Sequence, residues 1–170
     1  LDPRSCYPES KRMAEQLFKS YNVMFDIPYT IVRVAHSYGP GMIIDNDGRV
    51  MSDFISDVVN NRNIVMKSKG DAIRAFCYVT DAVSAMFLLL LEDTGNGVYN
   101  IANETEPIEI KEAAEKLVSL RNLRVEYIIE NDQSGYCKYK RVGLDTEKLQ
   151  GLGWKPMISL QSGLQRTVNS

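Results

Sequence analysis

A tyrosine and a lysine near the start of the chain have the residue types and the spacing of a catalytic pair. Tyr7 and Lys11 stand four residues apart, and because this is about one helical turn, a helix would carry the phenol and the ammonium on one face. A neighbouring cation favours the phenolate over the phenol, and a phenolate can accept a proton as a general base. The same spacing also occurs in ordinary surface pairs on helices, so the two residues alone leave both interpretations open.

The segment around this pair is predicted to be the first of several alternating helices and strands. Apolar residues recur at three- and four-residue steps through residues 8–24, and Pro8 suits a first helical turn. Residues 29–35 are rich in β-branched side chains and predict a mostly buried strand. Thr80 and Asp81 are predicted to cap a later helix. The alternation indicates an α/β chain. Further strands are predicted at 64–66, 76–79, 98–101 and 124–129, and further helices at 50–60, 80–91, 111–120 and 159–168.

Composition excludes several other classes of protein. The chain has 170 residues, with 20 Lys and Arg against 22 Asp and Glu, so its net charge of −2 gives no basic footprint for nucleic acid. The longest apolar run, residues 85–91, is far shorter than the roughly 20 residues of a membrane span. Three widely spaced cysteines, Cys6, Cys77 and Cys137, argue against a disulfide scaffold and a cysteine-rich metal site. We therefore expect no metal and a reducing, cytoplasmic location.

Five segments occur in the order and with the residues of one enzyme family. They are RSCYPESKRMAE at 4–15, YTIVRVAHSYGPG at 29–41, DGRV at 47–50, RAFCYVTD at 74–81 and LGWKP at 152–156. Together they resemble the extended short-chain dehydrogenase/reductases that act on nucleotide sugars, which are NAD-dependent epimerases, dehydratases and decarboxylases. The resemblance spans nearly the whole chain and does not identify the sugar.

The resemblance implies roles for residues around the cofactor. Tyr7 would remove the proton from a sugar hydroxyl while hydride passes to the nicotinamide, and Lys11 would hold the nicotinamide ribose. His36 and Ser37 would lie beside the nicotinamide and the sugar. The family usually has asparagine where this chain has His36, and an imidazole can also donate a hydrogen bond to a substrate. The alternative for His36 is an ordinary loop residue.

Three arginines are implied to bind the substrate. Arg74 matches the family's arginine for the diphosphate, Arg141 matches a second arginine-bearing stretch, and Arg49 lies in a third matching segment. A planar guanidinium binds phosphate oxygens bidentately, which suits a diphosphate. The alternative is that these arginines are solvated at the surface.

The resemblance also implies a fold and a division of the chain. We expect the C-terminal part of a Rossmann-like domain, from residues 1–36 and 75–101, and a smaller mixed α/β substrate-binding domain, mainly from residues 37–74 and 102–170. The glycine-rich NAD fingerprint is not recognised, since Gly39 and Gly41 flank a rigid Pro40. The chain is therefore expected to be the C-terminal half of an enzyme, inactive without its N-terminal half.

The predicted function is that of an NAD-dependent nucleotide-sugar epimerase or dehydratase, an isomerase or lyase of carbohydrate metabolism. A UDP-glucuronate decarboxylase is the alternative, because residues 3–7 and 47–50 look most like those enzymes. A non-catalytic module that binds a sugar nucleotide or a protein is the alternative of another class. The expected partners are a nucleotide-diphosphate sugar, the N-terminal half and a second copy in a homodimer, without nucleic acid or membrane.

Overall fold

The computed structural model describes residues 5–45, 47–92, 95–131 and 139–170. Cys137, one of the three cysteines, lies outside these ranges. Within them, helices and short strands alternate along the chain. The helices are α1 (Cys6–Phe25), α2 (Val50–Val59), α3 (Val79–Leu91), α4 (Ile110–Ser119), α5 (Glu147–Gln150) and α6 (Leu160–Val168). The strands are β1 (Thr30–Val34), β2 (Ser37–Tyr38), β3 (Ile64–Met66), β4 (Ile73–Arg74), β5 (Cys77–Tyr78), β6 (Gly97–Ile101), β7 (Ile108–Glu109), β8 (Val125–Tyr127) and β9 (Arg141–Val142).

The strands pair mainly in parallel. β1 pairs with β6 over five residues, from Thr30 opposite Gly97 to Val34 opposite Ile101. β2 pairs in parallel with β5, and β3 with β8. In the remaining sheet β4 is central, antiparallel to β7 and parallel to β9. Parallel strands joined through helices are the mark of α/β architecture, so the predicted fold class is confirmed.

The buried apolar residues form two clusters. The larger one joins α2, α4 and α6 to β3 and includes the fully buried Ile55, Val58, Ile64, Leu117 and Leu164. The smaller one packs α3 against β6 and is completed from the C-terminal part of the chain. Its buried members are Cys77, Ala82, Ala85, Leu89, Tyr99, Ile101, Leu149 and Trp154. Leu149 and Trp154 thus pack with segments predicted for the cofactor domain, and the predicted domain boundaries themselves stay a prediction.

Helix α4 shows how the sequence pattern produces burial. Ala113, Ala114, Leu117 and Val118 recur at helical spacing and are all buried, as the pattern predicts. At its start, the carboxylate of Glu112 accepts the backbone N–H of Glu109 at 3.2 Å. One face of α4 therefore packs into the larger cluster, while the side chain of Glu112 caps the N-terminus of the helix.

The predicted cap of α3 is wrong. α3 begins at Val79, so Thr80 and Asp81 lie inside its first turn. Asp81 is 3% exposed, and its carboxylate accepts the backbone N–H of Ile158 at 3.0 Å. A buried carboxylate requires such a donor, so Asp81 fastens the chain before α6 onto α3.

Two kinds of feature are absent from the described residues. No helix there is both long and apolar enough to cross a membrane. No group of three or more potential metal ligands occurs in the same part of the chain.

Candidate active site

The tyrosine and lysine of the first motif meet on one face of α1. The ammonium nitrogen of Lys11 lies 5.4 Å from the centre of the Tyr7 ring, within the range of a cation–π contact. Tyr7 is 71% exposed, so its phenol is accessible to a ligand. The structure thus places the two side chains together, as their spacing predicts, and their catalytic roles stay a prediction.

His36 stands where the chain changes its partner strand. β1 pairs with β6 and β2 pairs with β5, and His36 lies between β1 and β2. Its carbonyl oxygen accepts the backbone N–H of Cys77 at 3.2 Å. Its φ angle of +41° is in the left-handed region, which few non-glycine residues adopt. This backbone turn directs the chain from one sheet into the other and presents the imidazole at the junction.

A cleft opens at this junction. It brings together three of the predicted site residues, His36, Ser37 and Arg49, with Phe76 on its wall. The His36 ring is 5.9 Å from the Phe76 ring, in a tilted arrangement. The remaining residues that line the cleft are Met42, Val50, Met51 and Ser52. The cleft therefore combines an apolar wall with a hydroxyl, an imidazole and a guanidinium, a composition suited to a polar ligand.

The charge state of His36 is set by this environment. Partial burial against Phe76, and then the positive charge of Arg74, lower the pKa of His36, while the carboxylate of Glu104 opposes them. A neutral imidazole has one N–H donor and one nitrogen acceptor. His36 is thus equipped to donate one hydrogen bond and accept another in the cleft.

Arg49 is held at the cleft by its neighbours. Its Nε donates to a carboxylate oxygen of Asp47, and the hydroxyl of Ser52 donates to the same oxygen at 2.6 Å. The hydrogen bond from Arg49 and that from Ser52 lower the pKa of Asp47. Sequence reasoning named Arg49 and missed Asp47 as its partner, although both belong to the quoted segment DGRV.

Arg74 is nearly buried, at 9% exposure. Its Nη1 donates to the carbonyl oxygens of Ile73 at 2.7 Å and Lys140 at 3.3 Å. These bonds fix the guanidinium against the backbone at the β4–β9 pairing. Its position close to His36 and away from bulk water is compatible with the predicted anion-binding role and removes it from the class of solvated surface arginines.

Arg141 differs from Arg74 in exposure and direction. The register sets Arg74 opposite Val142 and Arg141 opposite Ile73, so the two arginine side chains leave their strands on opposite faces. Arg141 is 61% exposed and forms an ion pair with Glu104 at 3.6 Å. The structure therefore does not set the two arginines side by side on one sheet face.

Glu104 is a site residue that sequence reasoning missed. Besides the ion pair to Arg141, its carboxylate accepts the backbone N–H of Leu144 at 2.9 Å. Its charge also acts on His36. Glu104 is 40 residues from Leu144 in sequence, and no motif or spacing in the chain signals a contact over that separation.

The comparisons with known proteins agree on one family. The sequence pattern of the NAD dependent epimerase/dehydratase family matches residues 1–102. UDP-glucuronic acid decarboxylase 3 of Arabidopsis thaliana is 35% identical over 161 residues, which are 95% of this chain and 46% of that protein.

Solved structures share the fold. The UDP-glucose 4-epimerase of Thermotoga maritima, solved with UDP-glucose, has a TM-score of 0.83 and 24% identity over 96% of this chain and 52% of its own. The Thermus thermophilus UDP-glucose 4-epimerase in complex with NAD has a TM-score of 0.82 and 22% identity, with the same coverage. The chain spans about half the length of these proteins. Their fold confirms the predicted Rossmann-like α/β class, and the match over residues 1–102 shows that this chain belongs to the NAD dependent epimerase/dehydratase family.

Proposed function

We propose that this chain takes part in the NAD-dependent conversion of a nucleotide sugar, with Tyr7 as the base. The observation that carries the proposal is the placement of the Lys11 ammonium 5.4 Å from the exposed Tyr7 ring in a member of this family. A phenolate beside a fixed positive charge is a suitable acceptor for a hydroxyl proton.

The residues present fit the nicotinamide side of the cofactor. The ammonium group of Lys11 lies on the exposed helix α1 and can donate hydrogen bonds to ribose hydroxyls. The helix face that Lys11 shares with Tyr7 is open to a ligand. NAD, when bound, would accept the hydride that the sugar carbon loses. Tyr7 takes the hydroxyl proton as the sugar carbon is oxidised to a ketone, and Lys11 stabilises the negative charge on the Tyr7 oxygen.

The cleft at His36 is proposed to hold the substrate. The imidazole of His36 and the hydroxyl of Ser37 can bind sugar hydroxyls, and Arg49 stands at the same cleft. Arg74 adds a partly desolvated positive charge close to His36, which suits a diphosphate. Arg141 is proposed to contribute from the other face of its sheet once it is released from Glu104.

A specific candidate is the decarboxylation of UDP-glucuronate. The relative from Arabidopsis thaliana is a UDP-glucuronic acid decarboxylase at 35% identity, which favours this outcome. In that reaction the ketone formed beside the carboxylate-bearing carbon makes loss of CO₂ possible. Epimerisation and dehydration share the same first oxidation, so they remain outcomes of the same test.

The test is an assay of the full-length natural protein with a panel of UDP- and dTDP-sugars. We expect one substrate to be converted, and Tyr7→Phe, which keeps the ring and removes the hydroxyl, to lower kcat by about 100-fold or more. Released CO₂ would identify the decarboxylase, and an inverted sugar carbon the epimerase. Tight binding of a UDP-sugar without conversion, unaffected by Tyr7→Phe, would contradict the proposal and indicate a binding module.

A further inference from the structure

A two-pronged ion pair joins α1 to β1. The Nε of Arg33 donates to Glu15 Oε1 at 2.7 Å, and its Nη2 donates to Glu15 Oε2 at 2.5 Å. The partners are 18 residues apart and belong to different elements. Two parallel hydrogen bonds between a planar guanidinium and a carboxylate fix both distance and orientation.

Glu15 continues the line of the candidate catalytic residues. Tyr7, Lys11 and Glu15 follow one another at four-residue steps along α1, so all three lie on one face of the helix. A helix rises about 1.5 Å per residue, which puts the Glu15 backbone roughly 12 Å from that of Tyr7. The ion pair is thus made on the same stripe that carries the proposed base.

Arg33 is close to the other part of the site. It lies in β1, three residues before His36, and a strand advances about 3.3 Å per residue. Its backbone is therefore roughly 10 Å from the start of the cleft. One ion pair consequently joins the element that bears Tyr7 to the element that leads into the cleft.

Within the described residues, α1 is joined to β1 by this ion pair rather than by buried packing. None of its 20 residues, all of which the structure describes, is buried. Its large apolar side chains are instead exposed, for example Met13 at 62% and Leu17 at 52%. The hydrogen bonds from Arg33 lower the pKa of Glu15, and the same bonds raise that of Arg33, so both groups stay charged at neutral pH.

We propose that Glu15 and Arg33 are positioning residues that set the distance between Tyr7 and the cleft at His36. This inference rests on the proposed function of Tyr7 as the base. Neither residue touches the reacting atoms. Their effect is on where α1 stands relative to β1, and a displacement of about 1 Å of a reacting group can slow a reaction by up to 100-fold.

The test uses Glu15→Gln and Arg33→Gln in the full-length protein, with Glu9→Gln as the matched control. Glu9 pairs with Arg12 on the same helix, at 3.4 Å, and both side chains are exposed. We expect kcat to fall about tenfold or more in the first two variants with KM changed less than about twofold, and no change in the control. The charge reversal Glu15→Arg with Arg33→Glu should regain part of kcat.

A second measurement separates this inference from the proposed function. Hydrogen exchange of the α1 amides should accelerate in Glu15→Gln and not in Glu9→Gln. An active wild type with kcat unaffected by Glu15→Gln, or with exchange unaffected, would overturn the positioning role alone. A general loss in which kcat, KM and melting temperature change together would overturn it as well. A wild type without turnover on any nucleotide sugar would overturn the function of Tyr7 and, with it, the positioning role.

Discussion

Glu104 and Arg141 face each other across 3.6 Å at the start of β9. The same carboxylate accepts the backbone N–H of Leu144, so one side chain holds both a proposed substrate-binding arginine and the chain that follows it. The carboxylate of Glu104 therefore offsets the positive charge of Arg141 in the absence of a ligand. The same side chain anchors the backbone N–H of Leu144, so replacing Glu104 would affect both Arg141 and the chain after β9.

Replacing Gly143 with alanine should reveal how closely Glu104 packs. A Cβ at Gly143 would lie 2.7 Å from Oε2 and 2.8 Å from Oε1 of Glu104. We expect Gly143→Ala to reduce the free energy of unfolding by about 1 kcal/mol in urea titration. In a chain that already carries Glu104→Ala, adding Gly143→Ala should cost much less, because the clashing carboxylate is gone. Gly151→Ala is the control, because its Cβ would meet only contacts of 3.4 Å or more. Equal effects at both glycines would contradict the prediction.

Gly163→Ala should destabilise the protein although alanine normally stabilises a helix. An interior Gly→Ala change in a helix usually gains up to about 1 kcal/mol. Here the new Cβ would lie 2.1 Å from the hydroxyl of the buried Tyr38, so we expect a net loss of about 1–3 kcal/mol. Tyr38→Phe should recover part of it, because the ring carbon Cζ would still be 2.9 Å away. Thermal unfolding of the single and double variants measures this, and a higher melting temperature for Gly163→Ala would contradict it.

The protonation of His36 gives a pH-dependent prediction. Burial and the charge of Arg74 lower the pKa of His36 in the folded protein, whereas in an unfolded chain it lies near 6.5. The unfolded state therefore binds the proton more readily. The His36 contribution makes the free energy of unfolding fall as the pH drops below about 6.5, until the folded-state pKa is passed. His36→Asn should remove this dependence.

The same prediction can be checked at the imidazole itself. His36 is the only histidine in the sequence, so NMR titration observes it without overlap. Because Arg74 lowers the His36 pKa and Glu104 raises it, Arg74→Gln should move the midpoint up and Glu104→Gln should move it down. Shifts of the same sign in both variants would show that the two charges do not act on His36 as described.

Calorimetric titration with NAD tests whether these 170 residues hold the cofactor by themselves. No glycine-rich turn of the type that binds the pyrophosphate is recognised in the sequence, and Lys11 and Tyr7 offer contacts only to the nicotinamide side. We expect binding weaker than millimolar. A sub-millimolar dissociation constant would mean that other residues of this chain supply a pyrophosphate site.

The long elements were predictable because their residues repeat with a period. The spacing of apolar residues indicated α4 and its buried face. The β-branched run from residue 29 indicated β1, which the structure confines to Thr30–Val34, but the predicted burial of this strand is wrong because none of its five residues is buried within the described chain. Among the two-residue strands, β2, β4, β7 and β9 have no such period. They form because pairing partners from distant segments meet, and a local pattern does not contain that information.

The contacts of the candidate site were likewise predictable only where the two residues are close in sequence. The contact between Tyr7 and Lys11 follows from a spacing of one helical turn. The ion pair between Glu104 and Arg141 joins residues far apart in sequence, and its geometry depends on how β9 lies beside β4. Motif reasoning therefore found local pairs and missed the partners that folding brings in.

The left-handed backbone at His36 limits which amino acids can replace this histidine, whether in evolution or by design. At φ +41° only glycine and a few polar types, chiefly asparagine, aspartate and histidine, are readily tolerated. Valine, isoleucine and threonine are excluded by their branching at Cβ. The side chains readily tolerated at this junction are therefore few, and apart from glycine all of them carry hydrogen-bonding groups.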